Sequence, residues 1–175
     1  MFIGREEELN FLEDRYNSAD GQLVVLYGRR RVGKTELLRQ FCEHKEHVFY
    51  TCTEIIDEKQ LEAFSQRVLE KNKQAAKYIT RFSDWEQALL SITELAKEKK
   101  IVVVIDEFPY MVKGNNAIPS ILQKLWDEVL KQSNVMLILC GSAMSFIEKE
   151  VLAEKNPLYG RATGILKMQA MDFYS

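Results

Sequence analysis

The sequence predicts an α/β fold, a parallel sheet covered by helices on both faces. Short apolar runs alternate with segments of helical periodicity, and three of the runs, QLVVLY, IVVVI and VMLILC, show no polar alternation, which is the pattern of strands buried on both faces. A length of 175 residues suits one domain, with enough chain to bury a continuous core.

The elements follow in order. Leu9, Leu12 and Tyr16 recur at helical spacing behind an acidic first turn, which predicts a helix from about Glu6 to Tyr16, closed by the turn Asp20-Gly21. Gln22 to Tyr27 reads as a buried strand, and a helix runs from Lys34 to about Glu43. His47 to Thr53 is rich in β-branched and aromatic residues and predicts a second strand. A long helical region covers about Glu58 to Lys77, and the capping-box pattern from Ser83 to Glu86 starts another helix that ends near Lys99. Ile101 to Ile105 is the third strand. Gly114, Asn115 and Asn116 mark a loop, after which Pro119 opens a helix to about Lys131. Val135 to Cys140 is the fourth strand, Ser145 to Leu152 a helix, and Thr163 to Met168 a short fifth strand.

Composition narrows the function classes. Lys and Arg number 24 against 26 Asp and Glu, a net charge of −2, so no global basic field exists to bind nucleic acid non-specifically. Cys42, Cys52 and Cys140 are an odd number with no CxxC pair and lie in or beside apolar stretches, the pattern of reduced, buried thiols in a cytosolic protein. His44 and His47 lie close by, but their spacing fits no zinc pattern, which leaves a structural reading for all of them. The N-terminus has no apolar run of signal-peptide length and Ile101 to Ile105 is far too short to span a bilayer, so the expectation is a cytoplasmic protein without membrane contact.

The chemistry concentrates in a few boxes. Gly28, Arg29, Arg30, Arg31, Val32, Gly33, Lys34 and Thr35 match GxxxxGK[ST] in full, between an apolar strand and a helix, as a phosphate-binding loop requires. In such a loop the glycines let successive backbone N–H groups point at phosphate oxygens, and the following helix start, with Glu36, adds its positive end. Lys34 supplies a mobile positive charge and the Thr35 hydroxyl can ligate Mg2+. Arg29, Arg30 and Arg31 occupy the variable positions, where side chains mostly point away from the phosphates.

A second box ends the apolar third strand with two acids, Asp106 and Glu107. Asp106 is placed to bind Mg2+, and Glu107, facing the other side of the strand end, can polarise an attacking water. Ser142 follows the fourth strand and has two readings, a sensor of the terminal phosphate or the N-cap of the next helix. Arg161, just before the fifth strand, reads either as an arginine finger or as an ordinary surface residue.

Together the N-terminal box Phe2 to Leu9, the loop YGRRRVGKTELL, the strand VVVIDEFPYM and the segment from LILCGSAMSF to KMQAMDF resemble prokaryotic, largely archaeal, ATPases of the AAA+/STAND group. More narrowly they resemble the archaeal ATPase family whose members often carry a C-terminal DUF234 domain. The resemblance implies a P-loop NTPase three-layer sandwich with a five-stranded parallel sheet in the order 5-1-4-3-2. It also implies ATP or ADP with Mg2+ as cofactors, Glu107 as the catalytic acid, and Ile3, Gly4 and Arg5 beside the base or ribose. Arg161 falls where an arginine finger acts, which implies a homo-oligomer with Arg161 working in trans. Family members continue into a helical lid and further domains, and the resemblance suggests DNA as a partner of those domains. Residues 1–175 are therefore expected to be the ATPase core of a longer protein, binding nucleotide but turning it over slowly. The leading reading is Mg2+-dependent ATP hydrolysis that drives or switches a conformational change; the alternative is a non-catalytic, nucleotide-dependent signalling switch.

Overall fold

The computed structural model describes residues 5–158 and 160–170. Helix α1 spans Glu6–Tyr16, strand β1 Gln22–Tyr27, α2 Lys34–Cys42 and β2 His47–Thr51. Then come α3 Asp57–Leu69, α4 Lys73–Ala76, α5 Trp85–Leu95 and β3 Ile101–Asp106. The chain continues through α6 Phe108–Gly114, α7 Ile118–Glu128 and β4 Val135–Gly141 to α8 Met144–Phe146, which runs on as a π-helical turn over Ile147–Val151, and ends at β5 Gly164–Lys167.

The five strands form one sheet in the order β2-β3-β4-β1-β5, with every neighbouring pair parallel. That is the order the resemblance implied, read from the other edge. Side chains of successive strand residues point to opposite faces, and the core divides accordingly. Val24 and Leu26 of β1 pack with Leu12 of α1 and Leu37, Leu38 and Phe41 of α2 on one face. Leu23 and Val25 join Phe64 of α3, Leu89 of α5, Met111 of α6 and Leu122 of α7 on the other. Three layers result. No described helix is long and apolar enough to cross a membrane.

Three differences from the sequence reading have a local reason; in addition, α5 stops at Leu95 rather than near Lys99 and β2 at Thr51 rather than Thr53. The long helix expected over Glu58 to Lys77 breaks in two, because the Asn72 side chain accepts a bond of 3.1 Å from the Ala75 N–H and starts a fresh helix. At α5 the cap is Asp84 rather than Ser83: Asp84 Oδ1 accepts from the Gln87 N–H at 2.8 Å. Helix α6 was not foreseen at all. Its signals were present, with Phe108, Met111 and Val112 at helical spacing and Pro109 in the first turn, but only one residue, Glu107, which is not a usual turn former, separates them from the strand.

Candidate functional site

The site assembles at the carboxyl ends of β1, β3 and β4, where parallel sheets of this kind hold their ligands. Gly28 directly follows β1 and its N–H reaches the Gly141 carbonyl at the end of β4, at 3.3 Å. A Cβ at Gly28 would lie 2.4 Å from the Met168 carbonyl oxygen, so the loop leaves the sheet through a gap only glycine fits. Gly33 has φ 94°, in the left-handed region that favours glycine, and turns the chain into α2. Arg31, at φ 68°, shares that unusual region.

Lys34 is buried, and its Nζ donates to the Arg29 carbonyl at 2.8 Å, reaching across the loop. Thr35 Oγ1 donates to Asp106 Oδ2 at 3.1 Å, so the first turn of α2 and the end of β3 meet through the two side chains suited to a hard cation. The other Asp106 oxygen accepts from the Glu107 N–H at 2.9 Å. Hydroxyl and carboxylate oxygens on adjacent elements fit Mg2+, which prefers oxygen and takes few protein ligands.

Two thiols flank this acid. Burial first, and next the charge of Asp106, hold Cys52 and Cys140 well above their ordinary values. Both therefore stay protonated and add no negative charge beside the carboxylate. Cys42, buried in the same core layer as Cys140, is pushed up to about 11 by burial.

Glu107 sits at φ 54°, a strained conformation for a side chain of its size and one that clusters at functional positions. The turn aims its carboxylate at the end of β4, where the Ser142 hydroxyl donates to Oε1 at 3.1 Å and Oε2 at 3.3 Å. This decides between the two readings of Ser142 in one respect. The helix behind it takes Ala143 as its N-cap with no side-chain cap bond, so the hydroxyl serves Glu107 instead. A cavity of about 360 Å3 is lined by Arg30, Arg31, Gly33, Lys34, Thr35, Glu36, Glu107 and Ser142, which brings both sequence boxes to one space.

Other expected residues lie apart. Arg29, Arg30 and Arg31 are all exposed, with the last two at the cavity rim. Val32 presents its carbonyl to Arg5, whose guanidinium donates to it at 2.5 Å, to the Gln169 carbonyl at 3.0 Å and to Glu8 Oε1 at 3.3 Å. Arg5 is thus buried as a clasp between the phosphate loop and the segment after β5. Ile3 and Gly4 fall outside the described residues. Arg161 is not among the residues around the cavity: it pairs with Asp127 of α7 at 3.0 Å, and that bond holds the Asp127 carboxyl below its ordinary value. Sequence reasoning missed the Arg5 clasp, the Glu107–Ser142 bond and the thiols beside Asp106. Only the thiols left a trace, since Cys140 stands opposite the end of β3 once the strand order is known.

The chain is similar to several known proteins. A protein of Methanocaldococcus jannaschii, MJECL04, is 37% identical over 173 residues, which is 99% of this chain and 37% of the relative. Among solved structures, the Walker-type ATPase PABY2304 of Pyrococcus abyssi superposes with a TM-score of 0.71 at 25% identity, over 99% of this chain and 55% of its own. The Aeropyrum pernix ORC1 protein, solved in complex with DNA, shares the fold at a TM-score of 0.68 and 15% identity, over 98% of this chain and 47% of its own. The chain thus spans roughly a third to a half of the length of these relatives. A family model described as an ATPase domain predominantly from Archaea matches residues 2–175, and the chain belongs to that family.

Proposed function

We propose that this domain binds ATP with Mg2+ and hydrolyses it to ADP and phosphate, using the cycle to drive or switch a conformational change in the whole protein. The observation that carries the reading is the single cavity that joins Lys34, Thr35, Glu107 and Ser142. Backbone N–H groups of the loop between Gly28 and Lys34, together with the start of α2, bind the phosphates. Lys34 adds positive charge where negative charge builds up on the terminal phosphate. Thr35 and Asp106 would hold Mg2+, which supplies charge neutralisation at the phosphate oxygens.

Glu107 accepts the proton of the attacking water, and Ser142 orients its carboxylate by donating to it. The acid pair Asp106 and Glu107 at the end of β3 favours water over a substrate hydroxyl as acceptor. DNA contact, as in the Aeropyrum pernix ORC1 complex, would fall to segments outside this domain, since the domain has a net charge of −2.

Replacing Lys34 with Ala tests the assignment of the loop. Titration with a fluorescent ATP analogue should show affinity reduced by at least about 100-fold, the scale of removing one partner from a buried charged contact. Parent-like affinity would sink the reading of the loop.

A further inference from the structure

Strand β2 is an outer strand, paired on one side with β3 alone. Its register tells which backbone groups face outward. Val102 N–H donates to the Glu46 carbonyl and Cys52 N–H to the Asp106 carbonyl, so residues 46, 48, 50 and 52 spend their groups on β3. In a parallel ladder the intervening residues point the other way, which leaves the N–H and C=O of His47, Phe49 and Thr51 facing out. Among the described residues no backbone bond from another element takes them up.

This edge lacks the usual protection. Edge strands are commonly blunted by lysine, proline or a bulge, yet HVFYT contains neither residue and pairs with β3 through five consecutive residues without a break. The opposite edge, β5, is only four residues long and carries Lys167, exposed. Beyond β2 lies a groove of about 630 Å3, lined by the whole strand and walled by α2 on one side and α3 on the other. Its flanks are cationic. Arg39 lies over the Phe49 ring at 4.6 Å, and Arg67 and Lys71 stand on the α3 side, with Glu70, which Arg67 meets at 3.9 Å, as the one acid of the lining.

We infer that the β2 edge is a docking site for an extended acidic peptide segment, which adds to the sheet as a sixth strand. Main-chain bonds to His47, Phe49 and Thr51 supply the affinity. Arg39, Arg67 and Lys71 select carboxylates on the alternating side chains. None of these residues belongs to the phosphate site, so the inference stands apart from the proposed ATPase reaction.

The probe is an end-capped peptide of alternating threonine and glutamate, followed by fluorescence anisotropy and by amide hydrogen exchange of the protein. Saturable binding below millimolar concentration is expected, with slowed exchange at the His47, Phe49 and Thr51 amides. N-methylation of alternate peptide nitrogens should weaken binding by roughly tenfold or more, and so should Arg67→Glu combined with Lys71→Glu. Thr51→Pro, which removes one outward N–H at a position where an edge strand tolerates proline, gives an independent variant should the charge reversals disturb folding. The proposal is overturned if the lysine version of the peptide binds equally well, if N-methylation has no effect, or if the three amides stay unprotected. It is overturned too if β2 pairs with a second copy that the peptide does not displace, or if a single-stranded oligonucleotide takes the groove and excludes the peptide.

Discussion

β1, β3 and β4 are buried along their whole length, whereas β2 alternates buried with half-exposed positions and β5 has no fully buried residue. The inner strands end in the groups to which the proposed reaction assigns phosphate binding and cleavage: Gly28 to Thr35 after β1, Asp106 and Glu107 at β3, and Ser142 after β4. The difference is one of stiffness. A strand clamped on both faces and both edges fixes the position of whatever follows it, and the Thr35–Asp106 and Glu107–Ser142 bonds each span two such ends. Edge strands hold nothing so firmly, and β2 instead offers an unpaired backbone.

Destabilising mutations should separate the two classes. Ile138→Ala in β4, where the side chain is fully buried, should cost about 2–5 kcal/mol in urea unfolding. Ile165→Ala in β5 is expected to stay within about 0.5 kcal/mol, as the side chain is 51% exposed. Equal costs would break the comparison. Gly28→Ala joins the two classes, because its Cβ meets the Met168 backbone just beyond the edge strand. About 1–3 kcal/mol should be lost as β5 or the loop shifts, with weaker nucleotide binding alongside. An unchanged affinity would show that β5 moves and the loop does not.

Arg161→Ala has the smallest expected effect. The pair with Asp127 is substantially exposed, so urea unfolding should be indistinguishable from the parent, with turnover at the parent rate. Turnover that drops in this variant, and depends on protein concentration in the parent, would instead give Arg161 a role across subunits.

Legibility in the sequence followed the same division. The inner strands announce themselves because burial on both faces demands an unbroken apolar run, and the phosphate loop because its backbone geometry demands glycines at fixed spacing. Bonds between distant elements leave no such mark. Arg5 reaching Val32 and Gln169, or Ser142 turning to Glu107, depends on which strand ends lie side by side. Local competition was equally hidden: Asn72 could have continued a helix, and only its side-chain bond to Ala75 shows that it starts a new one. Helix α6 escaped because Glu107 makes the strand-to-helix turn in a single residue of left-handed backbone, without the glycine that usually marks such a turn.

The central claim is that Glu107, oriented by Ser142, is the base for water attack. Its most direct test is Glu107→Gln, with ATP affinity and single-turnover phosphate release measured on the same preparation. Affinity should remain within about threefold of the parent while release slows by about 100-fold or more, the usual contribution of a positioned general base. Release at the parent rate, or a parent protein that retains nucleotide without cleaving it, would contradict the claim and favour a non-catalytic switch.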